Sequence, residues 1–220
     1  MPDTRGLREW SALSGLLFVV LFAVGNVLIL DGPSDESPAK MQAYYGDSGH
    51  RDRIHLGWIL AGLGLFFFLW FIACLRETAR DAEQRDSGRG SMLASLITIG
   101  GTAYAAVAMA VIGLADGIRT MSDDTYHHEV YGGIIHAAND GTYVMHATGT
   151  AGLAAMILAF SLASLSSGAL PTWLGWFGII AAVAALASIA FFTTFVWLLW
   201  IVITSLLLFI RSRRGGTQVA

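Results

Sequence analysis

Long apolar stretches separated by short polar segments dominate this chain of 220 residues. An uncharged apolar run of about 18 or more residues is typical of a helix that crosses a membrane. Four such runs are clearly separated, and a fifth covers residues 172–210 without a single charge. One helix of that length would measure about 58 Å, roughly twice the thickness of the hydrocarbon core, so we divide the run near Phe192-Thr193-Thr194. The predicted spans are residues 11–30, 54–75, 92–114, 142–165, 173–191 and 195–210.

The polar segments predict where these helices begin and end. Asp52 is placed to cap the second span, and the mixed charges of residues 76–91 indicate a solvated loop. A short amphipathic helix is expected over residues 39–45, after a turn-rich acidic stretch. Asn139-Asp140-Gly141-Thr142 is typical of a turn that starts the fourth span. The last boundary has no Gly or Pro, so a hydrophobic hairpin that does not fully cross is the alternative for the final two spans.

The basic residues predict the orientation. With six spans and a cytoplasmic N-terminus, nine arginines lie on the inner side, and three arginines with Lys40 lie on the outer side. This agrees with the excess of basic residues that cytoplasmic loops carry. The predicted fold is therefore an all-α bundle of six transmembrane helices in the plasma membrane, with both termini cytoplasmic.

Composition supports one helical membrane domain over residues 1–220. The chain is 55% hydrophobic and only 13% charged, where a soluble domain has about 25% charged residues. Cys74 is the single cysteine, which excludes an intrachain disulfide. We find no nucleophile motif, phosphate loop or basic nucleic-acid patch, so the sequence favours a protein that is not an enzyme and does not bind nucleic acid.

Chemically active side chains gather on the predicted outer side. All six histidines and ten of the sixteen carboxylates lie there. Because polar groups in hydrocarbon need a partner or a cavity, this distribution indicates an outward-facing pocket of histidines and carboxylates. We expect it to bind a metal ion or a small ligand.

His146 is the leading candidate within that pocket. It is expected about one turn inside the fourth span, with Tyr143 beside it and Asp116 facing it from the third span. An ionisable group inside a span is a functional candidate. The alternative is a neutral histidine that only bonds a neighbouring helix.

A metal site is a second possibility for the polar segment before the fourth span. Imidazole and carboxylate groups suit zinc or copper, although the spacing matches no regular ligand motif. His136 and Asp140 share a face if the helix continues through them, and a solvated acidic loop is the alternative. The remaining candidates in this segment are Asp123, Asp124, His127, His128 and Glu129.

His55 and His146 suggest a haem b site as a less favoured option. Both are predicted near the outer start of a span and at similar depth. Two histidines on facing helices can hold one haem iron.

Pairs of small residues four positions apart predict where helices touch. Such pairs let helix backbones approach closely, within this chain or against other membrane proteins. They are Gly57 and Ala61, Gly101 and Ala105, Ala147 and Ala151, and Ala181 and Ala185.

Several short motifs resemble a family of small polytopic membrane proteins common in actinobacteria. They are Ala43-Tyr44-Tyr45, Arg51-Asp52-Arg53, the run from Phe66 to Arg76, and the segment from Leu170 to Trp176. The resemblance implies a helical membrane protein and carries over no catalytic residue. The alternatives to a ligand-binding protein are a non-catalytic subunit or scaffold of a larger membrane complex and a small secondary transporter.

Overall fold

Seven helices make up the described part of the chain. The structure is a computed structural model and describes residues 4–29, 37–86, 92–122, 131–188 and 193–216. The helices are α1 (Thr4–Ile29), α2 (Pro38–Gly46), α3 (Ser48–Asp86), α4 (Met92–Thr120), α5 (Gly132–Ser167), α6 (Thr172–Ala187) and α7 (Thr194–Gly216).

Five of these helices are long and apolar enough to cross a membrane: α1, α3, α4, α5 and α7. The sixth apolar helix, α6, has 16 residues and therefore measures about 24 Å, less than the usual 30 Å core. The helices are those of a multi-pass membrane protein, and this confirms the all-α prediction.

Three predicted helix boundaries were wrong. α3 begins at Ser48, where the Asp47 side chain accepts a hydrogen bond from the His50 backbone N–H at 2.9 Å, so Asp47 and not Asp52 caps it. This hydrogen bond lowers the pKa of the exposed Asp47 carboxyl. The same helix runs on to Asp86, through the segment predicted as a loop. α5 begins at Gly132, so the predicted turn at residues 139–142 is helical.

The break in the long uncharged run falls where the sequence places it. α6 ends at Ala187 and α7 begins at Thr194. Side chains hold the two ends together, since the Thr193 hydroxyl donates to the Ala184 carbonyl oxygen and lies 2.9 Å from the Ser188 hydroxyl. These side-chain hydrogen bonds connect the two helices at a boundary where the sequence has no Gly or Pro to form the turn.

Six helices form a closed ring. Each of α1, α3, α4, α5, α6 and α7 packs against the next, α7 packs back against α1, and α3 also touches α5 across the ring. Helices meet most closely at glycines: Gly25 of α1 faces Gly57 and Ala61 of α3, and Gly100 of α4 faces Gly152 of α5. The small-residue pair at Gly57 and Ala61 therefore packs the chain's own helices, as predicted for bundle packing.

The short helix α2 lies over one end of this ring, which we call the α2 end. Met41 of α2 is buried against Ile118 of α4 and Ile135 of α5. Burial raises the pKa of the Tyr45 hydroxyl, and its hydrogen bond with Asn139 of α5 acts in the opposite direction. The two long polar segments thus pack on each other through α2 and the first turns of α5, and apolar contacts carry this packing.

Candidate functional site

Four aromatic side chains from four helices form a closed circuit inside the ring. We call them the aromatic quartet: Phe22 (α1), Tyr104 (α4), His146 (α5) and Trp197 (α7). Neighbouring ring centroids lie 6.4 Å apart for Phe22 and His146, 6.0 Å for His146 and Tyr104, 6.1 Å for Tyr104 and Trp197, and 6.0 Å for Trp197 and Phe22. These separations fall within the range of aromatic contact, toward its wide side.

Further rings pack the quartet from the side. Phe18 lies 5.3 Å from Phe22 and 4.7 Å from Phe68, whose ring is 5.6 Å from Tyr104. Phe18, Phe68, Tyr104 and Trp197 are all at most 1% exposed. Phe22, Tyr104 and Trp197 therefore lie in the apolar core of the bundle, where an unpaired polar group is expensive, and His146 is partly exposed.

Polar atoms of the quartet have no partners there. The Tyr104 hydroxyl and the Trp197 indole nitrogen are buried without a hydrogen bond in the described part of the chain. The described residues also offer no hydrogen bond to the ring nitrogens of His146, which contacts the rings of Phe22 and Tyr104. Each buried polar group without a partner lowers the free energy of unfolding by about 1–3 kcal/mol, so the unpartnered groups of the quartet destabilise the folded bundle.

A second set of unpartnered polar groups continues along α7. We call Trp200, Thr204 and Ser205 the α7 polar row; all three are at most 1% exposed and lack partners in the described residues. Ser164 of α5 is buried and unpartnered as well. The row and Trp197 extend over eight residues, about 12 Å along the helix axis.

The hydroxyls of this second set differ from most others in the bundle. Thr98, Thr150 and Ser161, for example, donate to a carbonyl three or four residues earlier in their own helix. That local bond is the ordinary way to satisfy a hydroxyl in a membrane helix. Within the described residues, the hydroxyls of Thr204 and Ser205 do not make this bond to their own helix. They could therefore form hydrogen bonds with a bound molecule.

The predicted partner of His146 lies elsewhere. Asp116 is hydrogen-bonded to His55 Nδ1 at 3.0 Å and to Arg119 Nε at 2.6 Å. Along α4 it is twelve residues from Tyr104, about 18 Å, whereas His146 contacts the Tyr104 ring. The structure therefore forms two separate groups and does not bring Asp116, or His55, to His146.

The pair of His55 and Asp116 has a chemistry of its own. Because an ionised carboxylate only accepts hydrogen bonds, Nδ1 of His55 donates to the Asp116 carboxylate. The His55 side chain is 42% exposed, and Asp116 and Arg119 are 25% and 14% exposed. Such partly solvated ion pairs contribute about 1 kcal/mol or less to stability.

The other predicted site residues do not join either group. Tyr143 is 61% exposed on the bundle surface, and Asp140 is exposed on α5. Because α5 is continuous, His136 and Asp140 do share a helical face. Among the described residues no three His, Cys, Asp or Glu side chains converge as a metal site would require. The remaining candidates fall outside the described residues: Asp123, Asp124, His127, His128 and Glu129.

Phe22, Tyr104 and Trp197 were missed from sequence. Trp197 is 0% exposed, because α7 turns this face toward α1 and α4. Tyr104 is the one tyrosine of six that does not lie in or beside a predicted outer segment. Its isolated position in the middle of an apolar span is the feature of the sequence that could have identified it as a site residue.

Comparison with protein-family models, with curated proteins and with solved structures finds no match to this chain. The function is therefore argued from the geometry of the described residues.

Proposed function

We propose that this chain is an integral membrane protein that binds a small ligand at the aromatic quartet. The observation that supports it is the unpartnered burial of the Tyr104 hydroxyl and the Trp197 indole N–H beside His146. Buried polar groups without partners are rare and are found where something else pairs with them. His146 keeps the leading role predicted from sequence, with Tyr104 and Trp197 as its partners in place of Tyr143 and Asp116.

The test is the small-molecule content of the purified protein. We expect an organic extract of the wild-type protein, purified in mild detergent, to contain one compound at near-equal molar amount, identified by mass spectrometry. His146→Ala removes the imidazole ring of the quartet, and we expect the variant to lose that compound while remaining folded. Identical extracts from the two proteins would contradict the proposal, and bound zinc or copper found by elemental analysis would favour a metal site instead.

Transport is the second candidate function. The α7 polar row supports it, because its unpartnered polar side chains continue about 12 Å beyond Trp197 toward the other end of the bundle. A pathway lined by hydroxyl groups is what passage of a polar solute requires. The scaffold alternative has less support, since Ala61, Ala105, Ala181 and Ala185 are at most 2% exposed and so are covered by the chain's own helices. Ala151 is the exposed member of the predicted small-residue pairs.

We further propose six crossings of the plasma membrane with both termini in the cytoplasm, so that the α2 end faces outward. The arginine distribution supports this orientation. A fluorescent protein fused to the C-terminus should then be bright, and alkaline phosphatase fused at the same place should be inactive. The reverse pattern would mean that an odd number of helices cross, for example only the five long ones.

A further inference from the structure

We infer that the ligand of the aromatic quartet is an uncharged, flat, mainly apolar ring compound that carries hydrogen-bond acceptor oxygens, the chemistry of a quinone. This inference rests on the proposed function and specifies its ligand class. Three properties of the site lead to it: the kind of polar atoms it leaves unpaired, the position of the charged groups, and the aromatic character of its walls.

The unpaired atoms call for acceptors on the ligand. The Trp197 indole nitrogen can only donate a hydrogen bond. The Tyr104 hydroxyl carries one proton, which makes it the second donor of the site. The side chains around them are rings, and the described part of the chain offers neither donor an acceptor. A carbonyl oxygen on the ligand would satisfy these donors without bringing further donors that need partners.

The charges indicate that the ligand is neutral. The charged groups closest along α4, Asp116 and Arg119, bond to each other, and Asp116 also bonds to His55. They lie at least twelve residues, about 18 Å, from Tyr104 on that helix. Burying a cation between helices without a counter-charge costs about 2.5 kcal/mol or more. The attraction between a cation and the face of an aromatic ring contributes about 2 kcal/mol, which does not offset that cost.

The walls favour a planar body. Phe22 and His146 are stacked at an interplanar angle of 19°, and the other three quartet pairs meet at angles of 56° to 71°. A planar ring at the quartet would therefore contact both ring faces and ring edges, where aromatic contact contributes in addition to burial.

The probe is a naphthoquinone that is methylated at both ring carbons beside its carbonyls, so that it does not add to the thiol of Cys74. Dimethylnaphthalene has the same rings and methyl groups but no acceptor, and tetramethylammonium is a compact cation. We expect saturable binding of the quinone to the full-length protein in nanodiscs, measured by thermal shift and by titration calorimetry. Dimethylnaphthalene should bind at least tenfold more weakly.

Variants locate the site. Tyr104→Phe and Trp197→Phe each remove one donor, which corresponds to about a tenfold rise in the Kd of the quinone. Tyr131→Phe and Trp176→Phe make the same changes at side chains that are 65% and 61% exposed, and their Kd should be that of the wild type. Tyr104→Phe is the more conservative variant, so it decides the question if Trp197→Phe does not fold.

The outcomes separate this inference from the proposed function. Equal binding of dimethylnaphthalene, an unchanged Kd in Tyr104→Phe, or binding of tetramethylammonium in place of the quinone would each overturn the ligand class and leave a ligand site at the quartet. If no probe binds and the wild-type protein carries no extractable compound, both proposals fail. Quinone binding that depends on Tyr104 and Trp197 supports both.

Discussion

Replacing Gly100 with leucine is expected to destroy the folded bundle. A Cβ atom at this position would lie 2.5 Å from the backbone oxygen of Gly152 and 2.9 Å from the backbone nitrogen of Met156. Neither atom can move aside by changing a rotamer, so α4 and α5 must separate. Overpacking of this kind costs about 3 kcal/mol, a large part of the stability of an ordinary domain. The measurement is recovery of monodisperse protein in detergent, followed by thermal unfolding.

Gly113 supplies the matched control on the same helix. No atom lies within 4 Å of the Cβ position that a side chain would add there. Gly113→Leu introduces the same side chain at an exposed position, and the protein should unfold at or above the wild-type temperature, because leucine favours the helix over glycine. Equal behaviour of the two variants would show that the crossing of α4 and α5 is not as close as described.

Trp197→Ala is expected to lower the free energy of unfolding by about 3–5 kcal/mol, the usual result of removing a buried tryptophan from a packed core. Trp197 is 0% exposed, and its ring contacts Phe22 of α1 and Tyr104 of α4. Its loss therefore removes the connection that α7 makes to two other helices at once. Thermal unfolding of the purified protein should show a drop of many degrees.

Trp176→Ala tests whether that loss is specific to the quartet. Trp176 is 61% exposed on α6, so the same truncation there removes few contacts within the protein. We expect an unfolding temperature close to that of the wild type. A drop as large as that of Trp197→Ala would mean that tryptophans stabilise this bundle through lipid or detergent, and not through the quartet.

The sequence predicted the centres of the helices better than their ends. Apolar runs located the five long helices and α6, because hydrocarbon excludes charge over the whole length of a span. It misplaced the start of α3 at Asp52, since Asp47 is an equally good cap and only the fold selects between them. It also ended α3 too early at residue 75, because a helix can continue into water when its polar residues are solvated.

The site was only partly predicted, for a different reason. His146 was found because an ionisable residue within a span is conspicuous by its chemistry. Its neighbours depend on which helices are adjacent in the ring and on their relative heights, and neither property is written in the spacing of residues along one helix. For this reason Asp116 was placed beside His146 although it pairs with His55, while Tyr104 and Trp197 were not among the predicted site residues.

Neighbouring helices of the ring differ in how extensively they pack, so one pair of neighbours separates more easily than the others. The contacts of α1 with α3 and of α4 with α5 are the most extensive, and those of α6 with α7 are the least extensive around the ring. The edge between α6 and α7 therefore lies between two extensively packed helix pairs, α1 with α3 and α4 with α5. At this edge the fewest contacts must be broken to separate neighbouring helices. Trp200 lies at this edge, where its indole nitrogen packs against Gly178 of α6, so separation of α6 from α7 would uncover the first residue of the α7 polar row.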